Sequence, residues 1–139
     1  MYLLDTMVIS DLRKRRRSPN VVAWIESVPA TDLFLSVVTI GEIELGIEIQ
    51  RGRSPEYANE LDKWLDRTLR IYGDRILSHD VGVARRWSRL AARLGNKGLD
   101  LAIAATALDR GLTVATRNVA HFQPTGVATI NLFEEGKVR

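Results

Sequence analysis

The feature that most restricts this chain is an alternation of two kinds of segment. Short apolar or β-rich runs at 2–4, 33–37, 75–77 and 112–115 are separated by longer stretches whose apolar residues recur three and four positions apart. Runs this short suit strands buried on both faces, whereas the three-and-four spacing marks helices that bury one side. Strands alternating with helices imply an α/β fold, with a mainly parallel sheet of four to five strands and helices on both faces. Residues 127–130 are the candidate fifth strand.

The helices carry local signals of their own. One begins near Met7 and fades in a basic run. Ser18-Pro19 gives the cap and the first-position proline of a second, with Val21, Trp24 and Ile25 on its apolar face and Pro29 ending it. Residues 39–49 place Ile40, Ile43 and Ile47 on one side. Ser54-Pro55 opens another helix through Leu61, Trp64, Leu65 and Leu69. Asp80 fits the cap of a long helix that buries Val83, Trp87, Leu90 and Leu94. Residues 99–110 are apolar nearly all round, which predicts a helix buried on most sides, and Gly111 ends it. Trp24, Trp64 and Trp87 all fall on apolar helix faces, so their expected role is packing rather than base stacking.

At 139 residues the chain is one domain's worth, 1–139, and long enough to bury a core. It has no cysteine, which excludes disulfides and thiolate metal sites and fits a reducing compartment. No stretch is long and apolar enough to span a bilayer, and Asp5 interrupts the apolar start where a signal peptide would continue, so the expected location is cytoplasmic. The net charge of +3 is weak evidence for a nucleic-acid partner. The unbroken run Arg13, Lys14, Arg15, Arg16 and Arg17 says more, because clustered cations neutralise phosphates. A solvated loop that keeps the protein soluble explains that run equally simply.

In open parallel sheets, ligands collect beyond the carboxyl ends of the strands. Asp5 stands at the end of the first strand; Thr116, Arg117 and Asn118 follow the fourth. Glu42 is placed in the first turn of the helix after the second strand, and Asp100 in the first turn of the buried helix. Converging carboxylates repel unless a cation neutralises them, and their hard oxygens suit Mg²⁺ or Mn²⁺. A carboxylate-held divalent ion is well suited to phosphodiester hydrolysis. Taken singly, each acid is better explained as a helix-end residue. Asp5 can cap the first helix, Thr39-Ile40-Gly41-Glu42 fits a capping box, and Asp100 favours the positive end of its helix. His79 and His121 have no ligand spacing and are assigned structural or surface roles. No P-loop, dinucleotide fingerprint, nucleophile elbow or zinc motif is present.

The blocks YLLDTMVIS, LFLSVVTIGEIELGI, RILSHD, DLAIAATALDRGLTVATRN and GVATINLF, in this order and spacing, resemble PIN-domain proteins of the VapC toxin group, near its FitB-like subgroup. The resemblance covers essentially the whole chain. It implies a PIN-like fold and a Mg²⁺- or Mn²⁺-dependent ribonuclease leaving 5′-phosphate and 3′-hydroxyl ends. Carried over residue by residue, it makes Asp5, Glu42 and Asp100 the catalytic acids and metal ligands, with Asn118 as a fourth metal position. Thr6 and Thr116 support them, and Arg13 to Arg17 with Arg117 would guide RNA. It also implies a homodimer, inhibited by a VapB-like antitoxin whose tail occupies the acidic groove and through which alone the complex meets promoter DNA. Two positions depart from the pattern. Met7 stands where the family usually has Asn, a thioether being a poor partner for a hard cation and no replacement for the amide's hydrogen bonds. The fourth metal position, Asp in many members and Asn in others, is Asn118 here, and the acid that some relatives place shortly after it is His121. These departures leave one alternative, a catalytically weakened RNA- or antitoxin-binding module. A DNA or flap nuclease is the further alternative, for which a chain of this length lacks room for DNA-clamping elements.

Overall fold

The computed structural model describes residues 1–96 and 98–133. Strands β1 (Tyr2–Leu4), β2 (Leu33–Ser36), β3 (Ile76–Leu77), β4 (Thr113–Ala115) and β5 (Thr129–Ile130) form one sheet in the order β3-β2-β1-β4-β5. Every pairing is parallel. The central β1 sets Tyr2 beside Leu33 on one flank and beside Thr113 on the other, and Leu4 beside Ala115. The helices among the described residues are α1 (Thr6–Leu12), α2 (Pro19–Ser27), α3 (Val37–Arg51), α4 (Pro55–Tyr72), α5 (Val81–Leu94), α6 (Leu99–Arg110) and α7 (Val119–Phe122).

The sheet is buried on both sides because successive residues of a strand face opposite ways. Leu4 points into a core built with Val8, Trp24, Leu35, Ile47 and Leu65, while Leu3 points into a second core with Val83, Leu90, Ile103, Val114 and Phe122. Helices α1 to α4 therefore cover one face, and α5, α6 and α7 the other. Leu3 and Leu4 are fully buried, each contributing about 1.5–3 kcal/mol of transfer free energy. The unbroken burial of 101–107 explains why α6 reads as apolar all round. Gly111 ends it at φ 68°, a left-handed backbone that a β-carbon would strain. Trp24 is 1% exposed with its ring edge-on to Tyr2, a packing role as expected.

Two local expectations are corrected. Helix α3 starts at Val37, because Ser36 leaves β2 with extended backbone and its hydroxyl accepts the Val38 amide at 3.0 Å. Thr39 and Glu42 thus lie inside the helix, no capping box forms, and Glu42 sits in the second turn rather than the first. Ser18 makes no side-chain cap; its own amide instead donates to Asp11 Oδ2 at 2.9 Å. The short α7, which supplies His121, was not foreseen. No helix among the described residues is long and apolar enough to cross a membrane.

Candidate active site

The chain builds outward from β1 to β2 and β3, then returns to place β4 on the other side of β1. That reversal leaves a crevice beyond the carboxyl ends of β1 and β4, where neighbouring loops diverge. Asp5 enters it directly from β1. It is 4% exposed and bound at both oxygens: Oδ1 accepts the Thr6 amide at 2.8 Å, capping α1, and Oδ2 accepts the Thr116 hydroxyl at 2.8 Å. Thr116, fully buried after β4, also accepts the Asn118 amide at 2.9 Å. One hydroxyl thereby ties Asp5 to the loop carrying Asn118.

Glu42 reaches the same place from α3. The Thr6 hydroxyl donates to its Oε1 at 2.8 Å and lies 3.1 Å from the Thr39 hydroxyl. The capping role read for Asp5 and a place in the site are therefore both true of that residue. For Glu42 the capping role is replaced by a contact between helices. Asp100, in the first turn of α6, is half-buried, and its Oδ2 lies 3.2 Å from His121 Nδ1 on α7. The imidazole thus faces the acid directly, a contact that the spacing of two lone histidines did not signal.

Burial pushes the Asp5 carboxyl above its ordinary range. Repulsion from Asp100 and, less strongly, Glu42 adds to the rise, while the bonds from Thr116 and the Thr6 amide oppose it without cancelling it. No lysine or arginine among the described residues pairs with Asp5, Glu42 or Asp100. A concentration of carboxylates without a basic partner, other than the imidazole at its edge, is the charge environment that a cation completes. Carboxylate oxygens with an amide carbonyl at Asn118 fit a hard divalent ion. Among the described residues no three acidic or imidazole groups already surround one point as a closed ligand set. The half-exposed Glu42 and Asp100 are the arms with room to move.

The two departures from the expected pattern touch each other: the Asn118 amide donates to Met7 Sδ at 3.2 Å. The thioether thus does accept a hydrogen bond, though sulfur is a weak acceptor. Of the basic run, Arg13 borders the site. It shares with Thr6, Glu42 and Trp64 a cleft of about 170 Å³, and donates to the Tyr57 hydroxyl at 2.9 Å. Lys14 stands 4.0 Å from Asp11, while Arg15, Arg16 and Arg17 are exposed. Arg117 lies with its guanidinium 4.0 Å above the Phe133 ring. His79 stays apart, edge-on to Trp87, and Asp80 caps α5 through the Val83 amide at 2.9 Å.

Residues 2–123 match the PIN domain family, and the chain belongs to it. Its relatives include Toxin FitB of Neisseria gonorrhoeae, 34% identical across 94% of this chain and 97% of that protein. A VapC ribonuclease, Y4jK of Sinorhizobium fredii, is 33% identical across 96% of this chain and 99% of its own. The crystal structure of FitAcB from N. gonorrhoeae superposes with a TM-score of 0.86 at 34% identity, covering 96% of this chain and 99% of that one. FitAB bound to a DNA fragment gives 0.84 at 33% identity, covering 96% of both chains.

Proposed function

We propose that this chain is the toxin of a toxin–antitoxin pair: a cytoplasmic, single-domain endoribonuclease that hydrolyses RNA phosphodiester bonds with a divalent metal, Mg²⁺ or Mn²⁺. The observation that carries the proposal is Asp5, buried and doubly hydrogen-bonded, with its ionisation opposed by two further acids. Such an arrangement is costly for an unliganded fold and is relieved by a cation. Relatives of full length named as a toxin and as a ribonuclease support the same class.

Asp5, Glu42 and Asp100 would hold the ion, with Asn118 as a fourth position. When bound, a hard divalent ion supplies a water of lowered pKa and offsets charge developing on the phosphoryl oxygens. The protein's own part is orientation and proton handling. Thr116 fixes Asp5 Oδ2 and Thr6 fixes Glu42 Oε1, so each carboxylate presents a defined lone pair. A carboxylate oxygen not engaged by the metal takes the proton released as water attacks phosphorus and returns it to the departing ribose O3′, which leaves as a 3′-hydroxyl. Arg13, Lys14, Arg15, Arg16, Arg17 and Arg117 would contact the RNA backbone.

Regulation follows from partners. The chain would form a homodimer and be inhibited by a VapB-like antitoxin lying in the acidic groove, and would meet promoter DNA only through that antitoxin. The structure of FitAB bound to DNA supports this division of labour.

The test is cleavage of total RNA by the purified, antitoxin-free protein with Mg²⁺, with Mn²⁺ and with EDTA, beside Asp5→Asn. Discrete metal-dependent fragments that vanish in the variant are expected. Absence of cutting under every condition, with antitoxin binding intact, would replace this function by that of a weakened binding module.

A further inference from the structure

Helix α5 carries four arginines and no acid in its sequence VGVARRWSRLAARL. Its buried side, Val83 and Leu90, faces α6. On its outer side Arg86, Arg89 and Arg93 recur three and four residues apart and so form one row. These three line a surface groove closed by Leu108 of α6 and by Thr125 in the turn after α7. Arg86 stands 3.9 Å from Asp109 and is partly neutralised. Arg89 and Arg93 are exposed, and no acid among the described residues lies within ion-pair distance of either.

The placement of this row relative to the site gives it meaning. Asp109, near the end of α6, meets Arg86 early in α5, so the two helices run antiparallel and the row advances toward the end of α6 that bears Asp100. A second cavity, lined by Asp100, Leu101, His121 and Pro124, lies on the other side of the same turn, with Pro124 and Thr125 adjacent in the chain. Leu101 and Leu108, one lining each cavity, are seven residues apart on α6, or about 10 Å along the helix axis. A cationic groove therefore opens within a short reach of a carboxylate-rich site. The acids repel a polyanion, and a neighbouring row of arginines offsets that repulsion and gives planar donors to successive phosphates.

We propose that the α5 row, Arg86, Arg89 and Arg93, is a backbone track for single-stranded RNA that leads the strand across the Pro124–Thr125 turn to Asp100. This rests on the nuclease function proposed above, but adds a binding surface on the opposite face of the sheet from the Arg13 to Arg17 run.

The experiment is binding of a labelled single-stranded oligoribonucleotide to the full chain in EDTA, which prevents cutting, followed by fluorescence anisotropy across a salt series. Arg89→Gln with Arg93→Gln is expected to weaken binding roughly tenfold. It should also flatten the slope of log affinity against log salt by about 1.4, or 0.7 for each lost phosphate contact. Arg89→Lys with Arg93→Lys should keep most of the slope, and Arg85→Gln, outside the groove, should change neither value. Unchanged RNA binding in the double Gln variant overturns the track and leaves the nuclease standing. Absence of RNA binding by the unmodified protein overturns the track, and the metal-dependent cleavage assay then decides the nuclease. If the double Gln variant alters sedimentation as a dimer and not RNA affinity, the face belongs to a second copy of the chain and the track is overturned.

Discussion

The candidate site has two unlike halves. Asp5 and Thr116 are buried, hydrogen-bonded to each other and carried at the ends of adjacent strands. Around Asp100, His121, Asn118 and Met7 the side chains are half-buried or exposed and their contacts are side chain to side chain. The first half stands on main-chain geometry that cannot change without disturbing the sheet. The second stands on helix starts and loop residues, where one residue replaces another at little cost to the fold. The departures from the family pattern at Met7, Asn118 and His121 all fall in the second half. The contrast separates what the fold requires from what a particular enzyme adjusts.

Variants on either side test that contrast. The largest effect is expected for Asp5→Asn, a loss of RNA cleavage beyond about 100-fold, since even partners of metal ligands cost 10–100-fold. Thr116→Val keeps the shape but leaves Asp5 Oδ2 without its buried donor and the Asn118 amide without its acceptor. It should lower activity about 10–100-fold, and in chemical denaturation cost about 1–3 kcal/mol. If Thr116→Val behaves like a surface substitution, the fixed half is not what holds the site.

A third effect distinguishes stability from function. The folded-state pKa of Asp5 lies above its ordinary value, so the fold prefers the protonated acid. Without metal, stability should fall as pH rises from the unfolded value through the folded one, and the penalty is complete above both. Asp5→Asn should therefore melt at a higher temperature than the unmodified protein in EDTA near neutral pH, with the gap closing in acid. Thermal melts across pH, with and without added Mg²⁺, check this, and equal melting at all pH would remove the electrostatic case for a cation. The smallest effect is expected in the adjustable half. Met7→Asn should tighten divalent-ion binding by up to about tenfold in calorimetry while leaving the melting temperature in EDTA nearly unchanged.

The same division governs what the sequence made legible. The strands, the all-round burial of α6 and the caps at Asp5 and Asp80 follow from local patterns, because alternation and cap chemistry act over a few residues. Glu42 was found but misplaced by a turn, since Ser36 and Thr39 both offer a cap hydroxyl and only the end of β2 decides between them. Two contacts were beyond local reach. His121 meets Asp100 through an unforeseen helix of four residues, and Met7 meets Asn118 across 111 positions. The α5 arginines look like any solvated helix face until the turn at Thr125 shows what they border.

The bond between Asp5 and Thr116 also has a consequence in time. The two residues are 111 positions apart, and β1 lies between β2 and β4, so the first acid waits for nearly the whole domain before its partner exists. Pairing over such a separation comes late in folding and late in synthesis. A ribosome making this chain therefore exposes an incomplete centre until the last strands emerge.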